Sequence, residues 1–78
     1  MTFFLIIFII MNLAVIAKYL SERRKSLGIS QRELANLCGI SLHSLSNAES
    51  GRGNPTFDVL FRLCEVLGLQ ITVGVKKV

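Results

Sequence analysis

His43, Ser44, Ser46 and Asn47 are short side chains that donate and accept hydrogen bonds, and no Lys/Glu pair interrupts them before Glu49. A helix face that meets only water usually carries oppositely charged pairs three or four residues apart, whereas one that enters a groove carries short polar groups that reach base edges. His43 and Asn47 stand four apart, so on a helix both project from one side. Around them lie Arg24, Gln31, Arg32, Arg52 and Asn54. These cationic or amide-bearing side chains suit phosphate oxygens, contacts that set register and give salt-dependent affinity without reading sequence. The plainer reading of the same stretch is a helical hairpin of an ordinary small bundle, in which Leu42 only packs on the turn and Ser46 only fills space.

Binding chemistry has no catalytic competitor in this chain. His43 is the only histidine, neither Cys38 nor Cys64 has a histidine at fixed local spacing, and no Gly-rich phosphate loop precedes a Lys. The chain is therefore expected not to be an enzyme. Its two cysteines lack metal-ligand spacing, and each falls where a helical pattern takes a small apolar residue; they read as reduced core thiols, with no metal and no cofactor expected. A formal charge of +4 over 78 residues suits a polyanionic partner, and every charged residue lies at or after Lys18. Such a length makes one domain with a modest core, for which self-association is a natural source of extra stability.

The polar residues need elements to hold them. Ser30 followed three residues later by Glu33 is a capping box, so a helix starts there, with Leu34, Ala35 and Leu37 as its apolar side. Cys38-Gly39 stops it and allows a sharp angle to the next axis. Ser41 caps a second helix that buries Leu45 and Ala48, leaves His43, Ser44, Ser46 and Asn47 outward, and ends at Glu49-Ser50-Gly51. Ahead of this pair, Leu13, Ile16, Ala17, Leu20 and Leu27 fall near one face of a helix ended by Gly28. Behind it, Arg52-Gly53-Asn54-Pro55 is a loop, and Thr56 caps a helix with Asp58 in its first turn and Phe57, Leu60, Leu63, Cys64 and Leu67 at core spacing. After Gly68 the alternation through Leu69, Ile71, Val73 and Val75 reads as one strand. A lone strand needs a partner, and the economical one is the same strand of a second subunit across a two-fold axis.

The order Ser30-Gln31, Leu34-Ala35, Gly39, Ser41, Leu45 and Glu49-x-Gly51 resembles the lambda-repressor/Cro-type (XRE-like) helix-turn-helix family over about sixty residues. The resemblance implies an all-α fold, a small four- to five-helix lambda-repressor-like domain with a C-terminal β-strand pairing between subunits. It implies a sequence-specific transcriptional regulator, a dimeric repressor on palindromic double-stranded DNA, with Leu42, His43, Ser44 and Asn47 as base readers. Asn pairs with adenine, His donates to guanine and Leu42 touches a thymine methyl; Leu42 departs from the polar residue often found there. It also pairs Arg24 with Glu49, and Arg24 serves as a phosphate contact only if it is not locked in that pair. The C-terminal strand resembles that of HipB-like antitoxins, so an antitoxin that represses its own operon and binds a HipA-like kinase toxin is the alternative.

Three parts are thus expected: a hydrophobic tail over residues 1–12, the DNA-binding domain over 13–68, and a dimerisation strand with a basic tail over 69–78. Phe3 through Met11 carry no polar side chain. As a membrane span the apolar stretch is short, about fifteen residues covering roughly 22 Å of a hydrocarbon core about 30 Å thick. A membrane-tethered regulator, held with its domain in the cytoplasm by Lys18, Arg23, Arg24 and Lys25, is one reading. Another is a tail packed on the domain or on a second subunit. The favoured reading takes Met11 as the native start, which makes the protein a cytoplasmic one.

Overall fold

The computed structural model describes residues 13–72 and Val75, which form four helices: α1 (Leu13–Ser26), α2 (Gln31–Cys38), α3 (Leu42–Ser50) and α4 (Phe57–Leu67). Each boundary has a local cause. Ser30 sits in extended backbone and its hydroxyl accepts the Glu33 amide at 3.0 Å, while the Glu33 carboxylate accepts the Ser30 amide at 3.1 Å. Both halves of the capping box are therefore present, and two amides that α2 could not satisfy are bonded. Ser41 and Thr56 cap α3 and α4 in the same way through the Ser44 and Val59 amides. At the C-terminal end of α2, Gly39 adopts φ +68°, a left-handed conformation that lets Ile40 N–H return to the Ala35 carbonyl. A side chain at that φ would be strained, so glycine is the residue that turns the chain here.

Five leucines form the centre of the packing: Leu20 of α1, Leu34 of α2, Leu45 of α3, and Leu63 and Leu67 of α4 are fully buried. Ala35, Cys38 and Ala48 complete this cluster, and Ile16, Ile29, Ile40, Val59, Leu60, Cys64 and Leu69 close it from the sides. Truncating a buried leucine to alanine costs roughly 2–5 kcal/mol, so in a domain this small the cluster holds the angle between α2 and α3. A long-range contact ties the first helix to the last: Arg23 Nε donates to the Leu67 carbonyl at 2.8 Å, placing a cation on the free carbonyls at the end of α4.

Three sequence expectations are corrected. Leu27 lies beyond α1 and is 44% exposed, because the turn through Gly28 carries it off the buried face. Leu37 is 64% exposed, since α2 packs through Leu34, Ala35 and Cys38, and Leu37 falls outside that arc. Phe57 is 60% exposed and stacks, tilted, on Phe61 at 5.9 Å between ring centres, on the flank of α4 away from Leu63 and Leu67. Among the described residues there is no strand. Leu69 N–H returns to the Cys64 carbonyl at 2.8 Å and its side chain packs against the core, so Leu69 still belongs to the cap of α4. Ile71 and Val75 are exposed, and Val73 lies outside the described residues. The ladder expected of this segment runs between two subunits, where the amides of each strand would find their partners. The apolar tail over residues 1–12 also lies outside the described residues. Among those described, no helix is long and apolar enough to cross a membrane.

Candidate nucleic-acid interface

The turn Gly39-Ile40-Ser41 joins α2 to α3, and α3 is seated by its inward side, Leu45 and Ala48, both buried. Its orientation is set by a polar clamp. Arg24 Nε donates to Glu49 Oε2 at 2.7 Å and Nη2 donates to Oε1 at 3.0 Å, a two-pronged pair with side chains only 11% and 4% exposed. The third guanidinium nitrogen, Nη1, donates to the Ile29 carbonyl at 2.9 Å. Gln31 Nε2 adds a 3.0 Å bond to Glu49 Oε1. One carboxylate at the end of α3 thus binds α1 and the first residue of α2. A guanidinium is a rigid fork, so the pair fixes direction as well as distance.

Arg24 is therefore the partner of Glu49 and not a free cation for phosphate: all three nitrogens are engaged within the domain. Gln31, also expected at phosphate, has its amide N–H on the same carboxylate, while its amide oxygen has no partner among the described residues. Nothing in the spacing of Gln31 and Glu49 announces this bond, which spans eighteen positions and depends on how α2 crosses α3.

Outward from the clamp, α3 presents the residues read from the sequence. Leu42 is 39% exposed, His43 and Ser46 are exposed, and Ser44 and Asn47 are half-buried. Ser44 is drawn into the cap: its amide donates to Ser41 Oγ, and Ser41 Oγ donates to Ser44 Oγ at 2.9 Å. His43 and Asn47 meet directly, Asn47 Nδ2 lying 3.2 Å from His43 Nε2. This contact was legible only as a four-residue spacing. Arg32 on α2 and Arg52 and Asn54 after α3 are exposed, and among the described residues their side chains make no hydrogen bond within the chain.

The Glu33 carboxyl is held below its ordinary range by the Ser30 amide and hydroxyl that bond it, which keeps the cap of α2 ionised. Burial pushes the Cys38 thiol up, partly offset by the nearby Arg62 cation, and burial raises the Cys64 thiol as well. Both cysteines are free, and no cluster of metal-ligating side chains occurs among the described residues. The arrangement is thus a braced helix with a short polar outer face, flanked in sequence by uncommitted cations.

Comparison with known proteins fits this geometry. A helix-turn-helix family profile matches residues 20–73, more than half of the chain. The chain is 35% identical over 63 residues to an uncharacterized HTH-type transcriptional regulator of Haemophilus influenzae. It is 36% identical over 56 residues to the cryptic phage CTXphi transcriptional repressor RstR of Vibrio cholerae. It is also 36% identical over 55 residues to the HTH-type transcriptional regulator PuuR of Escherichia coli. These matches cover 80%, 72% and 70% of the chain. They cover 64%, 50% and 30% of the relatives, so the chain spans less than two thirds of the length of each.

Proposed function

The chain belongs to the helix-turn-helix family, and from that membership we propose that it is a sequence-specific DNA-binding transcriptional regulator, a dimeric repressor whose α3 lies in the major groove. The observation that carries the reading is the clamp of Arg24 and Gln31 on Glu49, which holds α3 so that its outer face is free. On that face Leu42, His43, Ser44 and Asn47 are the base readers. Arg32, Arg52 and Asn54, with the amide oxygen of Gln31, supply positioning contacts, the cations taking phosphate. Residues 13–68 act as the DNA-binding unit and residues 69–78 as the segment that joins two subunits on a palindromic site. Support for repression comes from RstR, a relative that is named a transcriptional repressor.

The test titrates a palindromic site, selected from a random library, at two salt concentrations. Alanine at His43 or Asn47 should weaken binding to that site by about 1–3 kcal/mol and binding to random DNA much less. Arg52→Ala should weaken both alike and reduce the salt slope by about one. Retention of affinity and site preference by both His43→Ala and Asn47→Ala would remove α3 as the reader.

A further inference from the structure

The contact between His43 and Asn47 has a direction. An amide nitrogen only donates, so where Asn47 Nδ2 faces His43 Nε2 at 3.2 Å, Nε2 accepts and the neutral ring carries its proton on Nδ1. The ring then offers Nδ1–H as a donor, while Asn47 keeps Oδ1 as an acceptor and its second amide hydrogen as a donor. An acceptor beside a donor complements adenine, whose amino group donates and whose N7 accepts; a single ring donor complements guanine N7 or O6, or thymine O4.

A neutral imidazole has a second state. When the ring proton leaves Nδ1 for solvent and another is taken up at Nε2, Nε2–H donates to Oδ1 of a flipped Asn47 amide. Both outer ends then reverse. Nδ1 becomes an acceptor for the amino group of adenine or cytosine, and Asn47 shows two amide hydrogens that fit the paired acceptors of guanine. Mixed combinations set two donors or two acceptors against each other between the side chains and lose the bond.

We propose that His43 and Asn47 read two nearby base pairs as one unit, with the imidazole proton coupling the base met by His43 to the amide orientation that Asn47 presents. The inference rests on the DNA-reading role of α3 argued above. Four residues advance about 6 Å along a helix, roughly two base-pair steps of about 3.4 Å each, so both contacts fall in one stretch of groove. Neither side chain makes another hydrogen bond among the described residues, so each is free to follow the other. An acceptor base at the His43 position therefore favours adenine at the Asn47 position, and an amino-bearing base there favours guanine.

The experiment uses the full chain and the site enriched from a random library, rebuilt with all sixteen base-pair combinations at the two positions protected by α3. Wild-type affinities should depart from independent contributions by about threefold or more, with the pairing of bases stated above. His43→Leu should make the two positions independent and relax the base preference at the Asn47 position, while melting at an unchanged temperature. His43→Gln, whose amide also donates or accepts, should retain the dependence. Independent contributions in the wild type, or dependence that survives His43→Leu, would overturn the inference and leave the DNA-binding reading standing. Failure to enrich any sequence would overturn that reading itself, and the coupling with it.

Discussion

Glu49, at the end of α3, ties that helix to α1 and α2. Its carboxylate accepts from Arg24 twice and from Gln31 once in a nearly dry setting. Removing it leaves a guanidinium facing an apolar interior, and breaking a buried pair in this way costs about 3–5 kcal/mol, even though the intact pair stabilises little over apolar residues of the same shape. Glu22 is the contrast, an exposed carboxylate 4.0 Å from Lys18. We predict that Glu49→Ala lowers the denaturant midpoint markedly and Glu22→Ala changes stability by no more than about 0.5 kcal/mol. Coincident unfolding curves for the two variants would contradict this. The cysteines give a second prediction at this scale. Burial raises both thiols, so little thiolate exists near neutral pH, and Cys38 is covered as well. Iodoacetamide should therefore modify Cys38 slowly in the native protein and rapidly in urea, followed by mass spectrometry. Equal rates in the two conditions would mean that the thiol is not held in the core.

Among the described helices, α2 is the shortest and leans on its cap. Eight residues are too few to form a helix alone in water, so the reciprocal bonds of Ser30 and Glu33 and the packing of Leu34 and Ala35 keep it in place. Because the folded Glu33 carboxyl titrates below its unfolded value, its contribution is present above the unfolded pKa and is lost as pH falls through the folded one. The melting temperature of Glu33→Ala should therefore lie below that of the wild type at neutral pH. The gap should close as the pH drops well below about 4. A gap that widened on acidification would mean that the carboxylate does not stabilise the cap.

For the whole molecule, the question is what covers the apolar groups left outside. Phe57, Phe61, Ile71 and Val75 are exposed along α4 and the segment after it. If residues 69–78 join two subunits, the chain should sediment as a dimer at micromolar concentration. A variant ending at Gly68 should be monomeric and bind a palindromic site more weakly, since two half-sites are no longer held by one particle. A full-length monomer in sedimentation would refute the interface.

The sequence by itself determined the features whose physics closes within about four residues. Ser30 with Glu33, Ser41 and Thr56 begin helices, Gly39, Gly51 and Gly68 end them, and Leu34, Leu45 and Leu63 fall on buried faces. Capping bonds and helical periodicity depend only on near neighbours, so these were readable, and with them the outward face of His43 and Asn47. Only the tertiary structure decided which flank of each apolar stripe is covered. Leu37 and Phe57 have core spacing along the chain, yet among the described residues both stay exposed. It also decided between two uses of Arg24, because the choice between phosphate and Glu49 depends on where the end of α3 comes to rest. The bond of Gln31 to Glu49 and that of Arg23 to the end of α4 have the same origin: they join residues far apart in sequence, and helix axes, not residue types, bring them within reach.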